Sequence, residues 1–135
     1  DNSFLRTALR DQGGFCVKED TMAKDDYFVI VYRILVYLYA CLKAGQRPSL
    51  EYLQYGTDDF PVVKDYWQYI WLNLYKEGYI DGIKVIPILG EQNKGIKLTE
   101  QLAITPKGIE YVVDNSAMQK AKNFLKELKE IVPGV

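Results

Sequence analysis

The stretch from Trp67 to Glu110 constrains the fold more than any other part of this chain. It begins as an amphipathic helix that ends at Gly78 and continues as two runs rich in β-branched residues around a polar loop. It then ends in a helix introduced by Thr105-Pro106. Glycine is common just past a helix end, and threonine followed by proline is typical of a helix start. This order predicts an α+β fold: a winged helix with a two-stranded β-hairpin wing plus C-terminal helices.

Length and composition indicate a single globular domain. The 135 residues are 48% hydrophobic and 26% charged, and this length can bury a core without metal or disulfide support. The net charge of -1 provides no overall positive field that would attract nucleic-acid phosphates. Cys16 and Cys41 lack a metal-ligand spacing, and Cys41 lies in an apolar segment. We therefore expect a reduced, buried thiol and a cytoplasmic protein.

The first 21 residues differ from the rest of the chain. Gly13-Gly14 interrupts them, and the sequence that starts at Met22 is typical of a protein start. We interpret residues 1–21 as an N-terminal extension that is a foreign leader or an over-long reading frame, with at most a short helix around Phe4–Arg10. It lacks the basic start and apolar core of a signal peptide. The expected single domain comprises residues 22–135.

The most apolar stretch, Tyr27–Leu42, contains one charged residue, Arg33. It is shorter than the ~20 apolar residues of a membrane span, and a central arginine costs about 2.5–3.5 kcal/mol on insertion scales. We therefore expect a buried helix from Asp25 to Lys43, ended by Ala44-Gly45. Because this helix is apolar on nearly all faces, one side needs cover from a C-terminal helix or a second subunit.

Caps and periodicity place the other helices. Ser49 predicts a short helix to about Tyr55, and Pro61 predicts a third helix that continues to Glu77. Ser116 predicts the capped start of a last helix. The expected core face of the third helix consists of Trp67, Ile70, Trp71 and Leu74. A narrow apolar seam on the last helix consists of Met118, Ala121, Leu125, Leu128 and Val132.

The outward side of the third helix is a candidate DNA-recognition surface, and the hairpin extends it. Lysines contact phosphates, amide side chains read adenine edges, and tyrosine packs on sugar or base. The DNA-contact candidates are Lys64, Gln68, Tyr69, Asn73 and Lys76 on the helix and Lys84, Lys94 and Lys97 on the hairpin. The acidic residues among them are Asp65, Glu77, Glu91 and Glu100. A solvated surface of mixed charge is therefore the alternative.

Eleven tyrosines indicate a second kind of surface, because aromatic residues bury large areas at protein interfaces. The interface candidates are Tyr32, Tyr39, Met118, Leu125 and Leu128. In the alternative, the last helix folds back over the first, and these residues form the core of a monomer.

The sequence contains no constellation typical of an enzyme. It has no histidine, and residues 90–95 lack the glycine spacing of a phosphate-binding loop. The acidic pairs Asp25-Asp26 and Asp58-Asp59 are typical of a helix start and a turn. We expect no catalytic residue, metal site, cofactor, small-molecule substrate or membrane association.

Five short segments carry a resemblance to a known family. They are Met22-Ala23-Lys24-Asp25-Asp26-Tyr27, Tyr66-Trp67, Glu77-Gly78-Tyr79-Ile80, Ile104-Thr105-Pro106-Lys107-Gly108-Ile109-Glu110-Tyr111 and Asn115-Ser116-Ala117-Met118-Gln119-Lys120-Ala121. In this order they resemble the YjcQ-like proteins, small winged-helix proteins often encoded in phage or prophage regions of Firmicutes. The resemblance spans Met22–Val135 and implies the fold and a mobile-element context, without a catalytic residue or ligand.

Two functions from different classes fit these observations. The first is a DNA-binding regulator or accessory factor of a phage or mobile element, which uses the third helix and the hairpin on double-stranded DNA. The second is a protein-interaction or assembly module without enzymatic activity, which binds a second copy or another protein through its tyrosine-rich surface.

Overall fold

The structure is a computed structural model that describes residues 22–87 and 94–129. The helices are α1 (Tyr27–Ala44), α2 (Lys64–Lys76), α3 (Pro106–Asp114) and α4 (Ser116–Glu127), and the strands are β1 (Ile80–Pro87) and β2 (Lys94–Ile104). These four helices and the two-stranded antiparallel sheet confirm the α+β class and are consistent with a winged helix with a hairpin. The predicted extension at residues 1–21, residues 88–93 and the chain end, including Val132, lie outside the described residues. The polar loop expected at residues 90–95 is shorter than predicted at its end, because β2 begins at Lys94.

Helix α1 is the central element of the core. Ile30, Ile34 and Leu35 are fully buried, and Gly45 ends the helix as predicted. Among the described helices, α1 is the one that is long and apolar enough to cross a membrane, with a mean hydropathy of 1.6. Half of that stretch is nevertheless buried within the fold, including the charged residue Arg33. Its environment is therefore that of a core helix, as the sequence predicts.

Helix α4 covers the side of α1 for which the sequence predicts a partner. Met118, Ala121 and Leu125 are at most 2% exposed and pack in the same core as α1. The interface candidates Met118, Leu125 and Tyr32 therefore lie inside the protomer, as the monomer alternative predicts, whereas Leu128 is 44% exposed. The cover that α1 needs comes from the same chain.

The cap of α4 differs from the prediction. The side chain of Asn115, not that of Ser116, accepts hydrogen bonds from the N–H groups of Ala117 and Met118 at 2.8 and 3.3 Å. Gln119, predicted as the second half of a capping box, donates instead to the carbonyl of Val113. Asparagine is as good a cap as serine. The N-cap of α4 is therefore Asn115, one position before the predicted cap, and Ser116 is the first residue of the helix.

The short helix predicted from Ser49 to Tyr55 is wrong, because residues 50–53 form turns. Tertiary contacts hold the backbone near both ends of this segment. The hydroxyl of Tyr37 accepts from the N–H of Ser49 at 2.8 Å, and the indole of Trp67 donates to the carbonyl of Leu53 at 2.8 Å. A helix this short gains too few internal hydrogen bonds to offset its nucleation cost.

Helix α2 begins at Lys64, three positions after the predicted start at Pro61. Residues before it form a compact loop in which the N–H of Gly56 donates to the carbonyls of Phe60 and Val62. The predicted core face is confirmed, because all four of its residues are at most 5% exposed. They are Trp67, Ile70, Trp71 and Leu74.

The hairpin joins β1 to β2 with a bulge near its base. Ile80 pairs with Ile104 and Ile83 with Leu98, and the register shifts between Asp81 and Ile83. Gly82 has φ 89 there, and a Cβ at this position would lie 2.3 Å from the carbonyl oxygen of Gln101. Glycine is therefore required, and the bulge increases the twist of the strands beyond it.

One hydrogen-bonded junction closes the base of the hairpin. The hydroxyl of Thr105 donates to the carbonyl of Gly78, while the backbone N–H of Thr105 donates to the carbonyl of Tyr79 at 3.0 Å. The same hydroxyl accepts from the N–H of Gly108 and caps α3, which confirms the predicted cap. A Cβ on Gly108 would lie 2.2 Å from the carbonyl oxygen of Tyr79, so α3 packs directly on the backbone that leads into β1.

Candidate nucleic-acid interface

The outward side of α2 holds the DNA-contact candidates in two groups. Lys64 lies at the first position of the helix and Lys76 at the last, so a rise of 1.5 Å per residue separates them by ~18 Å along the axis. Tyr69 is 60% exposed, and its ring packs edge-on against Tyr27 of α1. The helix therefore brings Lys64 and Gln68 together at one end and leaves Lys76 at the other.

The side chain of Asn73 is hydrogen-bonded to its own helix and keeps the groups that a base contact needs. Its side-chain amide donates to the carbonyl of Tyr69 at 2.7 Å, one turn earlier in the same helix. Recognition of an adenine edge requires both an amide donor and the amide oxygen. One amide hydrogen and the oxygen of Asn73 remain for that contact.

The hairpin places two lysines opposite each other. Lys84 of β1 pairs in register with Lys97 of β2, and both side chains are exposed. Directly opposed side chains of an antiparallel pair lie on the same face with Cβ atoms about 4.5–5.5 Å apart, where like charges repel. A phosphate over this pair would relieve the repulsion. Lys94 faces Pro87 at the far end of the ladder, and its side chain lies outside the described residues.

A groove of about 440 Å³ lies between the start of α2, the hairpin and the turns before α2, and we call it the hairpin groove. It is lined by Leu50, Gln54, Tyr55, Lys64, Trp67, Gln68, Ile86, Gly95, Ile96, Lys97 and Leu98. Three of the predicted DNA-contact residues thus share one surface: Lys64, Gln68 and Lys97. Among its described lining residues the charged side chains are the two lysines, so the groove is electropositive.

Two residues that shape the hairpin groove were not predicted from the sequence. Tyr55 is 38% exposed and packs edge-on against Trp67, and Ile86 is 42% exposed on the hairpin. The sequence placed Tyr55 at the end of a helix that does not form. Ile86 is followed by Pro87 in a run read only as a strand. Neither residue carries a sequence signal that distinguishes a groove wall from an ordinary surface position.

An ion pair with a buried arginine joins α1 to the loop before α2. Arg33 of α1 is fully buried, and its guanidinium donates to the carboxylate of Asp59 at 3.2 Å. Asp59, predicted only as a turn residue, therefore fixes the loop before α2 against α1. Burial raises the pKa of the neighbouring Tyr52 to about 12, with a further contribution from the charge of Asp59 and an opposing one from Arg33. A lone arginine in an apolar helix is the sequence signal for such a partner, because a buried charge requires pairing.

Tyrosines of three helices meet near the start of α1. Burial raises the pKa of Tyr27 to about 12, and Tyr111 and Tyr69 add to the shift. The rings of Tyr79 and Tyr111 stack with centroids 4.3 Å apart, and the ammonium of Lys107 lies 5.6 Å from the centre of the Tyr79 ring.

Over residues 22–87 and 94–129 no group of three acidic or cysteine side chains is arranged to hold a metal ion.

Comparison with known proteins places the chain in a family. A family model described as YjcQ protein matches residues 32–131, which is more than half of the chain. The chain belongs to the YjcQ family. This confirms the family resemblance, although the match begins inside α1 rather than at Met22. No curated protein and no solved structure gave a match.

The family match includes every residue that lines the hairpin groove. Membership establishes relatedness and is consistent with the α+β fold. It assigns neither a ligand nor a reaction to that groove, so the function has to be argued from its residues.

Proposed function

We propose that this protein is a cytoplasmic DNA-binding winged helix without enzymatic activity, which acts as a regulator or accessory factor of a phage or other mobile element. The exposed side of α2 and the hairpin would contact double-stranded DNA. The mobile-element context rests on the family resemblance alone, whereas the DNA contact rests on the geometry of the hairpin groove.

The main support is that Lys64, Gln68 and Lys97 line one groove whose charged side chains are both basic. In a winged helix, the helix before the hairpin and the hairpin itself flank the surface that faces DNA. Lys84 lies opposite Lys97, so the hairpin adds a second positive charge next to the groove. Phosphate contacts of this kind fix the register of a protein on DNA, and Gln68 provides an amide for a base edge.

The net charge of -1 limits the expected affinity. Glu77 follows α2, and Glu100 on β2 pairs with Arg47 at 2.8 Å, so that this glutamate is partly neutralised on the surface. A protein that neutralises only three or four phosphates has a shallow salt dependence, with a slope of about -0.9 per phosphate. We therefore expect measurable binding at low salt and weak non-specific binding at physiological salt.

The test is fluorescence anisotropy of the full chain with a labelled mixed-sequence duplex at about 50 and 200 mM salt. Lys64→Ala and Lys97→Ala should each weaken binding and reduce the salt slope by about 0.9. Lys120→Ala is the matched control, because Lys120 is exposed on α4 away from the groove. Absence of binding at low salt, or an equal loss in the control, would contradict the proposal.

A second candidate function is a protein-interaction module, and one observation favours it. Phe28 is 40% exposed and Tyr69 60% exposed, and both rings pack against Tyr27, with centroids 5.1 and 6.2 Å away. Exposed aromatic side chains that are held in place by a neighbour are typical of interface anchors.

Light scattering over a concentration series separates this second function from the first. A molar mass that rises with concentration, and that returns to one chain in Phe28→Ser, would support an aromatic contact between two copies. Phe28 is not a DNA-contact candidate, so its substitution tests the protein contact alone. Tyr69 is a candidate for both contacts, and its substitution would not separate the two functions. A constant mass of one chain would leave DNA binding as the better proposal.

A further inference from the structure

A second groove, of about 360 Å³, lies on the helical side of the molecule. We call it the helical groove. It is lined by Tyr32, Val36, Tyr39 and Lys43 of α1, Val112 and Val113 of α3, and Gln119 and Lys122 of α4. None of these residues belongs to α2 or the hairpin, so any ligand bound here is independent of the proposed DNA surface.

Tyr32 is the most informative residue of this groove. Its side chain is only 3% exposed, yet it lines the groove and forms no hydrogen bond with any residue in the described part of the chain. The hydroxyl oxygen of Tyr32 keeps some contact with solvent, so water can take its hydrogen bond until a ligand binds. Burial also raises the pKa of Tyr32, so the hydroxyl keeps its proton at neutral pH and remains a donor. The groove therefore contains an unused hydrogen-bond donor.

Both charged lining residues are basic. Lys122 is half-buried, and the ammonium of Lys43 lies 4.5 Å from the centre of the Tyr39 ring. A cation over an aromatic face is held in place by the electrons of the ring. A second copy of the chain would bring the same two lysines against themselves in a twofold contact, which electrostatic repulsion disfavours. The complementary ligand is an anion.

The rest of the groove is apolar. Val36, Val112 and Val113 form its aliphatic part, and Val113 is 53% exposed. The volume lies near the lower end of the ~300–1,000 Å³ of small-molecule sites, and such sites combine an apolar lining with a few polar groups. A cavity of ~150 Å³ already holds a benzene ring, so this groove has room for one ring with a short charged substituent.

We propose that the helical groove binds a small aromatic carboxylate. The ring packs against the three valines and Tyr39, the carboxylate accepts a hydrogen bond from the hydroxyl of Tyr32, and the lysines Lys43 and Lys122 attract its charge. This arrangement gives the hydroxyl of Tyr32 an acceptor and offsets one of the two positive charges of the lining.

The experiment is a two-dimensional amide NMR titration of the full chain with phenylacetate and with indole-3-acetate as probes. Phenylacetamide is the matched neutral control, since it keeps the ring and loses the charge. We expect saturable shifts at Tyr32, Tyr39, Val113 and Lys122 with both carboxylates, and shifts at least several-fold weaker with the amide. The signals of α2 and the hairpin should not move.

Two variants test the assigned contacts. Tyr32→Phe removes only the hydroxyl and should weaken carboxylate binding about 10-fold or more, with no loss of thermal stability because no described hydrogen bond is broken. Lys122→Gln should weaken binding about 2- to 5-fold, as expected for one partly exposed charge. Lys126→Gln, an exposed residue of α4 outside the groove, is the control and should bind like the parent chain.

Two results would overturn the proposal. One is the absence of saturable shifts at the groove for both carboxylates up to about 10 mM, a concentration at which a site with a Kd of 1 mM is nearly full. The other is equal binding of phenylacetate and phenylacetamide, or of the parent chain and Tyr32→Phe. A duplex titration in the same samples reports on α2 and the hairpin separately, so failure of DNA binding leaves this test intact.

Discussion

The hairpin groove and the helical groove have similar linings but different hydrogen bonding. Each combines two lysines and glutamine with apolar side chains. In both grooves a glutamine already donates to a backbone carbonyl: Gln54 to Leu50 at 3.0 Å and Gln119 to Val113 at 2.7 Å. Both lysines of the hairpin groove are exposed, whereas Lys122 of the helical groove is half-buried. In the helical groove the hydroxyl of Tyr32 has no hydrogen-bond partner among the described residues. Both grooves carry two lysines, but they suit different anions. The open hairpin groove suits a long polyanion such as DNA, and the helical groove, with the donor of Tyr32, suits a compact anion.

The two grooves also differ in what builds them. The helical groove is formed by three helices that share one apolar core. The hairpin groove depends on turns held by single contacts, such as the ion pair of Arg33 with Asp59. Substitutions should therefore disturb one groove while sparing the other, and three predictions test this from the largest effect to the smallest.

Met118→Ala should destabilise the protein most. Met118 is fully buried under α1, and truncation of a buried large side chain costs about 2–5 kcal/mol. The free energy of unfolding in urea measures the loss, and Lys126→Ala on the same helix serves as control. Amide shifts should move around the helical groove and stay in place around Lys97. Equal shifts at both grooves would show that they are not structurally independent.

Asp59→Ala should have a smaller effect that is confined to the other groove. The substitution removes the carboxylate that accepts from the buried Arg33, and Asp59 is 40% exposed, so solvent screens part of the loss. We expect the free energy of unfolding to fall by about 1–3 kcal/mol and the amide NMR signals of Tyr55 and Gln68 to shift. Asp58→Ala, at the exposed neighbouring position, should change stability by less than about 0.5 kcal/mol. A loss as small in Asp59→Ala would mean that the ion pair does not hold this loop.

Alkaline pH should lower the free energy of unfolding, and Tyr52 should contribute more to this loss than Tyr32 of the helical groove. Burial raises the pKa of Tyr52 to about 12, whereas its ordinary pKa of 10 applies when the chain is unfolded. The folded state holds this proton more tightly, so its contribution to stability is complete below pH 10 and is lost as the pH rises to about 12.

Chemical unfolding followed from pH 9 to pH 12 tests this contribution. Tyr52→Phe should flatten the alkaline decline, and Tyr32→Phe, whose pKa burial also raises, should flatten it less. Tyr75→Phe, at an exposed position, is the control. An unchanged decline in Tyr52→Phe would contradict the assignment.

Much of this architecture could be predicted because its signals are local. The period of Trp67, Ile70, Trp71 and Leu74 is enough to orient α2, and Thr105-Pro106 marks the start of α3. Such patterns depend on neighbours within one or two turns, so tertiary packing seldom overrides them. Lys64 and Gln68 lie one turn apart on one helix and were predicted together for the same reason.

The groove walls could not be predicted, because they depend on contacts between distant residues. The hydroxyl of Tyr37 and the indole of Trp67 hold the backbone where a helix was expected from Ser49, and neither contact is visible from the sequence around Ser49. The pairing of Arg33 with Asp59 spans 26 positions. The sequence analysis uses Arg33 only as an argument against a membrane span, and the fold shows that Asp59 accepts its hydrogen bond.

The junction at Thr105 joins the base of the hairpin to α3 through backbone groups. Its hydroxyl and its amide hold the carbonyls of Gly78 and Tyr79, and Gly108 packs on the same backbone without an intervening side chain. A rotation of the hairpin about its base would break these bonds unless α3 turned with it. Val112 and Val113 of α3 form one wall of the helical groove, so the base of the hairpin is joined through α3 to a groove whose lining contains no hairpin residue.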